Sequence, residues 1–442
     1  MRRLPLAFAL AAALSPFGAA HAEDLMQTYQ QARQNDPQYA AAEANRAVVA
    51  ETPVQARATL LPQVSGSVGV TRIDEGPGNS VQTGSWGVQL SQSLFDYGNY
   101  TALRSAKALD RAGGYDLIAA GNDLITRTSA AYFNVLVQLE TLAAAEASEA
   151  ALKKQFDLAS KRLEVGLAPI TDVHEARAQY DAARANTILT RNTVQDAYQA
   201  LVEITGTQVG ILKALPDDFQ PSLPAQQDAD AWVATATGQN PTLQAQRSSL
   251  EAAEADVSTA RSGHLPTLGL TASYGKAIPG VYDPDFVGSN YSTGTVGISL
   301  EVPIFTGFAT QSRVRSALAQ RDAAADAVEQ AKRSVERNTR NAYQALVAGV
   351  TEVEARRLAV VSAQSAYDAS VVGLEVGTRT VVDVLINQRS LFTAQQAFAL
   401  SRYSFLQNRL LLDQAAGTLD VDDVQDVNRL LTADTAVGEA RP

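Results

Sequence analysis

Residues 375–391 read EVGTRTVVDVLINQRSL, and this stretch decides the fold because it occurs twice. Gly377 supplies a backbone conformation that most residues resist, and the hydroxyls of Thr378 and Thr380 are placed to cap a helix that follows. The stretch therefore predicts a tight turn between two long helices. Residues 164–173, EVGLAPITDV, are a near copy. Gly166 aligns with Gly377 and Asp172 with Asp383 at an offset of 211, and the same offset carries Tyr132 onto Tyr343 and Gly206 onto Gly417. Self-similarity on this scale predicts a duplicated unit, each half carrying one such turn.

Outward from the two turns, the plan of each half is the same. Residues 25–60 are helical in pattern, with a start at Asn35-Asp36-Pro37 and a stop at Leu61-Pro62. The period then changes to two. Val64, Val68 and Val70 alternate with small polar residues, as do Trp86, Val88 and Leu90 after a Gly-rich loop at 74–79. This predicts a hairpin with strands at about 63–72 and 84–94, apolar on one face. No proline interrupts the 67 residues from Asn99 to Val165; Gly113, Gly114 and Gly121 are the weak points. A continuous helix there would be roughly 100 Å long. The return helix carries a heptad seam at Val173, Ala176, Tyr180, Ala183, Thr187, Thr190, Val194, Ala197, Leu201 and Ile204, ended by Gly206.

In the second half, Asn240-Pro241 opens a helix and Leu265-Pro266 ends it, with the proline spacing of 25 also seen between Pro37 and Pro62. Strands are expected at about 267–276 and 292–304, with some six additional residues in the loop between them. A helix over about 311–375, the turn at 376–381 and a heptad helix (Val384, Leu391, Ala394, Phe398, Phe405, Leu412, Ala415) complete the unit. The expected divisions are 23–209 and 228–420 for the repeats, a Pro-rich linker at 210–227 and a polar, loosely held tail at 421–442.

Residues 1–22 have the form of a secretory signal, with Arg2-Arg3, an apolar run to Leu14 and Ala20-His21-Ala22 as cleavage site. Cleavage would take the formal charge from −11 to −13 by removing those two arginines, a balance that excludes the basic face of a nucleic-acid binder. No later apolar run nears the roughly 18 residues of a spanning helix. Phosphate loops, nucleophile elbows and metal-ligand spacings are all missing, so neither an enzyme nor a cofactor is expected. The two remaining histidines, His174 and His264, read as helix surface and turn. Four strands of spanning length cannot close a barrel, whose smallest bacterial form uses about eight, so oligomerisation is expected.

Residues 375–391, the copy at 164–180 (EVGLAPITDVHEARAQY) and the paired Leu-Pro-then-strand pattern resemble the TolC-like outer-membrane efflux proteins. The resemblance covers Glu23 to about Asp420. It implies a mainly α fold with β, in which long coiled-coil helices continue a trimeric 12-strand barrel as a helical tunnel. It also implies a homotrimer in outer-membrane lipid, docked onto a periplasmic adaptor and an inner-membrane transporter. The function implied is an exit duct for efflux or type I secretion, shut by an iris at the helix tips. The alternative is a non-conducting periplasmic coiled coil.

By the same resemblance, Asp383 lines the entrance aperture, and Arg379 ties its helix to a neighbouring coiled coil through Thr171 and Asp172. Arg402 is a second restraint, and Val165-Gly166-Leu167 with Val376-Gly377-Thr378 form the adaptor-docking tips. Ile386 stands where the family commonly has a second aperture aspartate, and Leu374 where a tip tyrosine can occur. An isolated aspartate near a helix start is otherwise a helix cap. The cargo is not legible.

Overall fold

A computed structural model describes residues 22–74, 80–167, 169–216, 218–224, 228–278 and 292–435. The signal segment, the Gly-rich loop and the longer second hairpin loop fall wholly or almost wholly outside the described residues. In chain order the elements are α1 (Leu25–Asn35), α2 (Pro37–Ala50), α3 (Thr52–Ala58), β1 (Gln63–Asp74), β2 (Ser80–Phe95), α4 (Tyr97–Glu164), α5 (Ile170–Thr205) and β3 (Lys213–Ala214). The second half adds α6 (Ala229–Gln239), α7 (Pro241–Ser262), β4 (Thr267–Ile278), β5 (Ser292–Glu301), α8 (Ala309–Glu375), α9 (Val381–Ala416), α10 (Val421–Asn428) and β6 (Ala433–Asp434). The strand expected to reach Ile304 stops at Glu301, before Pro303, which has no N–H to give a ladder. The chain forms two compact units, one built from Ala41–Ala120 and Thr237–Arg337 and the other from the remaining described residues.

In the first unit a four-stranded antiparallel sheet has the order β1-β2-β4-β5. Its register pairs Val68 with Trp86, Val88 with Tyr274, Leu90 with Ala272, and Leu270 with Ile298. Directly paired residues project to the same side, so the alternating apolar positions of all four strands share one face. Serine, threonine, glutamine and glycine make up most of the other. The apolar face is bare in the chain: Val68 is 85% exposed and Val296 79%.

Among the helices of this unit, the Arg46 guanidinium pairs with Asp110 at 2.6 Å, joining α2 to α4. Arg111 pairs with Glu251, and the Thr101 and Thr259 hydroxyls meet at 2.7 Å, joining α4 to α7. Gly113, expected as a weak point, is a packing position. A Cβ there would lie 2.9 Å from the Val49 Cγ1, so glycine is what lets α2 approach α4. The 68-residue α4 runs through it unbroken.

The second unit holds the apolar core, with Leu25, Leu124, Tyr132, Leu136, Leu201, Tyr403, Leu406 and Leu410 fully buried or nearly so. The α5 seam buries Ala176, Thr187, Thr190, Val194, Ala197 and Leu201, and then Thr205 in preference to the expected Ile204. Gly206 and Gly417 end α5 and α9 in the left-handed conformation at φ 69° and 78°.

Two expectations need correction here. The 210–227 segment is not a bare linker: its Lys213–Ala214 strand pairs with Ala433–Asp434, and Leu212 bridges to Glu23. The tail is folded through Thr435. Asp420 caps α10, and Val424, Val427 and Leu431 form an apolar stripe whose burial holds the helix down. The Tyr132 hydroxyl donates into this knot, lying 2.7 Å from the Lys213 carbonyl and 3.1 Å from that of Glu23.

Candidate functional site: the helix tips and the restraint on α9

The two tips share their glycine and differ in their caps. Gly166 and Gly377 take φ 73° and 76°, with open space where a Cβ would stand. After α4, the Leu167 N–H donates to the Arg162 carbonyl at 2.8 Å. After α8, the N–H groups of Thr378 and Arg379 donate to the Gly373 carbonyl at 2.8 and 3.1 Å. Gly373 has no counterpart in the first tip, where Arg162 stands at the offset position. A Cβ on Gly373 would lie 2.6 Å from the Arg379 Cγ, so this glycine seats the arginine stem against α8. Val165, Leu167 and Val376 are exposed.

Pro169 opens α5 without a side-chain cap, whereas Thr380 and Asp383 form a reciprocal capping box at α9. The Asp383 carboxylate accepts the Thr380 N–H at 2.9 Å and its hydroxyl at 2.8 Å, and the Asp383 N–H lies 3.2 Å from the Thr380 Oγ1. Those two hydrogen bonds, helped by the charge of Arg379, hold the Asp383 carboxyl below the usual carboxylate range. The aspartate is thus a cap and an exposed fixed charge at once.

The expected gate residues are only partly brought together. Thr171 and Asp172 touch each other at 3.5 Å. Among the described residues, Arg379 bonds to neither within the chain. Arg402 lies 23 residues beyond Arg379 and is buried, 4% exposed. Its Nη2 donates to both Glu140 oxygens at 2.8 and 2.7 Å, and its Nη1 to the Pro216 carbonyl at 3.3 Å. The guanidinium also covers the Phe398 ring at 4.9 Å. Tyr403 donates its hydroxyl to Glu140 at 2.9 Å and accepts the Leu215 N–H at 3.4 Å. Burial, then the Glu140 charge, push the Tyr403 phenol up. α9 is therefore tied to α4 through Glu140, a partner that sequence reasoning missed, and to the 212–216 segment through the Pro216 carbonyl and the Leu215 N–H.

Among the described residues no helix is long and apolar enough to cross a membrane, and no cluster of metal-ligating side chains occurs. A protein with a bare, one-sided apolar sheet and duplicated helical hairpins belongs to the class of outer-membrane channels whose barrel is shared between chains. The chain matches the family model for outer membrane efflux proteins over residues 28–207 and 232–418, and it belongs to that family. It is 35% identical to the outer membrane protein TolC of Vibrio cholerae, over 97% of this chain and 98% of that one. It is 27% identical to the alkaline protease secretion protein AprF of Pseudomonas aeruginosa, over 95% and 89% of the two chains. The crystal structure of the Campylobacter jejuni CmeC outer membrane channel shares the fold, with a TM-score of 0.76 at 19% identity over 93% of this chain and 90% of that one.

Proposed function

We propose that three copies of this chain close their sheets into a 12-strand outer-membrane barrel, and that their paired helices form the duct beneath it. The observation that carries this reading is the sheet itself. β1 and β5 are edge strands of 12 and 10 residues, the length a tilted strand needs to cross a bilayer, and no edge can remain open in lipid. Each copy supplies four strands, so three copies reach twelve, whereas two would give only the minimal barrel.

The duct conducts passively and catalyses nothing. It takes cargo from a periplasmic adaptor and an inner-membrane transporter and passes it outward, as the efflux and secretion names of its relatives suggest. The tips at 165–167 and 376–378 dock the adaptor. Asp383 rings the entrance, and Arg379 reaches Thr171 and Asp172 of a neighbouring copy. Arg402 restrains α9 from within its own chain. The non-conducting coiled coil gains no support, since it leaves the bare sheet without a role.

The test is assembly and conductance. Protein extracted from outer membranes in detergent is expected to run as a trimer with mixed helix and strand signal, and to conduct in planar bilayers. A stable monomer that keeps its full strand content would sink the reading. Bulky replacements at Gly166 or Gly377 are expected to abolish export while trimer yield stays normal; unaltered export would place docking elsewhere.

A further inference from the structure

The two hairpins copy each other in sequence and in register. Residues 84–95, GSWGVQLSQSLF, recur as 294–305, GTVGISLEVPIF, at an offset of 210, and residues 61–64, LPQV, recur as 265–268, LPTL, at an offset of 204. Val64 pairs with Leu90 in the first hairpin, and their repeat mates Leu268 and Leu300 pair in the second. The duplication is therefore geometric as well as chemical. Between the hairpins the chain makes one further junction, β2 on β4, in which Leu90 pairs with Ala272, Val88 with Tyr274 and Ser93 with Gly269. The counterpart of that junction would join β5 to β1, and within one chain these are the two opposite edges of the sheet.

Both edges are bare where the inner junction is covered. Leu94 and Phe95, at the foot of β2 beside β4, are 39% and 45% exposed, whereas their mates Ile304 and Phe305 beyond β5 are 95% and 75% exposed. On the facing edge, Val68 of β1 is bare while its mate Ala272 of β4 is half-buried. The inner junction also contains a bulge. Its pairing steps from Ser93–Gly269 to Phe95–Leu268, so Leu94 is the additional residue. Its mate Ile304 follows Pro303, and proline, lacking an N–H for the ladder, is confined in sheets to edges and bulges. The open edge thus carries the sequence of the bulge without a strand to oppose it.

We infer that β5 of one copy pairs antiparallel with β1 of the next in the register of the inner junction, Leu300 opposite Val68 and Ile298 opposite Val70, with Ile304 bulged out so that Phe305 meets Val64. The inference rests on the barrel proposed above and adds the pairing that closes it. A second copy is the occupant of each edge, because every chain carries both halves of a junction that it already makes once internally. The faces agree, since Leu300, Ile298, Val68 and Val70 all lie on the apolar side. A slip of one residue would turn Leu300 against the polar side of β1. A slip of two keeps the faces but sets either Leu300 or Phe305 against Gly66, losing an apolar cross-strand pair in both cases. With two like hairpins in each copy, three copies then make a ring of six like hairpins.

The chain has no cysteine, so introduced pairs report alone. Leu300→Cys is combined in turn with Gly66→Cys, Val68→Cys and Val70→Cys. Ser299→Cys with Gly69→Cys supplies an inferred pair of the alternate hydrogen-bonding type. Phe305→Cys and Ile304→Cys are each combined with Val64→Cys. Outer membranes bearing each variant are oxidised with copper phenanthroline, and covalent trimer is read on denaturing gels without reductant. Directly opposed residues have Cβ atoms about 4.5–5.5 Å apart, while diagonal neighbours stand at roughly 7–8 Å, too far for a disulfide. Leu300/Val68 and Ser299/Gly69 are each expected to give about 5-fold more covalent trimer than Leu300/Gly66 or Leu300/Val70, with the same advantage for Phe305/Val64 over Ile304/Val64. Preferential coupling of position 300 to 66 or 70, or no coupling at any pair in a protein that runs as a trimer before oxidation, overturns the inference. Wild-type protein that runs only as a monomer counts instead against the barrel reading.

Discussion

Arg402 on α9 and Glu140 on α4 are 262 residues apart in sequence and joined through a single guanidinium nitrogen that lies within 2.8 Å of both carboxylate oxygens. Arg402 is almost fully buried, while the Glu140 side chain keeps 31% of its exposure. Removing the arginine leaves a half-buried carboxylate without its cation. It also orphans the Pro216 carbonyl contact.

Arg402→Ala is expected to destabilise the assembled protein by about 3 kcal/mol, the low end for a broken buried pair because water still reaches Glu140. Arg402→Met with Glu140→Leu should recover most of that loss, since it removes both charges. Urea midpoints of the two variants decide this. If Arg402 also restrains the gate, both should raise conductance without adaptor, because neither keeps the Arg402–Glu140 link between α9 and α4.

A second weak point lies closer to the tip. Gln388 occupies a seam position between Val384 and Leu391, is 2% exposed, and has neither amide atom hydrogen-bonded among the described residues. A buried unsatisfied amide costs about 1–3 kcal/mol. Gln388→Leu is expected to stabilise the α9 seam by about that amount and to lower the open probability of the channel in bilayers. Unchanged stability would mean that the amide finds a partner in the assembly.

The helix junction beyond the seam should respond to pH. Burial, then the neighbouring Asp423 carboxylate, raise the Asp413 carboxyl to about 7, with Arg409 opposing. Asp423 is itself pushed up by burial, and Arg409 stands 3.8 Å from Asp426. The folded state therefore holds a proton that the unfolded chain releases near pH 4. Stability from this group is full below pH 4 and is lost as pH rises toward 7. Between pH 5 and 8 the loss is about 2 kcal/mol. Asp413→Asn is expected to flatten that dependence and to stabilise the protein at pH 8, measured by denaturant midpoint. An unchanged slope would place the proton elsewhere.

Much of this architecture was legible in the chain because it is periodic. Gly166 and Gly377, or Gly206 and Gly417, announce themselves by a fixed offset and a conformation only glycine adopts easily. The face holding Val64, Val68 and Val70 is written as plain alternation. What escaped is aperiodic. The β3–β6 pair is two residues long and joins segments some 220 apart in sequence, so nothing local marks it. Glu140 is one acid in an alanine-rich helix, and only the fold brings it to Arg402. Asp413 looks like any surface carboxylate until α10 covers it. The stripe of Val424, Val427 and Leu431 was readable, but the surrounding aspartates masked it as a polar tail.

The capping box at the second tip separates two roles of Asp383 that a single substitution would confuse. Its carboxylate accepts from Thr380 and also presents a charge held ionised to lower pH than usual. Asp383→Ala removes both the cap and the charge. Asp383→Asn keeps an oxygen that can accept the Thr380 N–H but removes the charge. Three such charges around an entrance would attract cations and repel one another, so the ring itself opposes closure. Ile386, exposed three residues on, adds no second ring. In planar bilayers, Asp383→Asn is therefore expected to lose cation preference and block by multivalent cations while closed-state conductance stays as in wild type. Asp383→Ala should lose the same selectivity and also show frayed exchange of the amides at 380–384. In the wild type, cation preference should persist to lower pH than an ordinary carboxylate would allow, because the two hydrogen bonds from Thr380 hold the Asp383 carboxyl below the usual range. If Asp383→Asn leaves selectivity and cation block untouched while Asp383→Ala frays the helix start, Asp383 is a cap and nothing more.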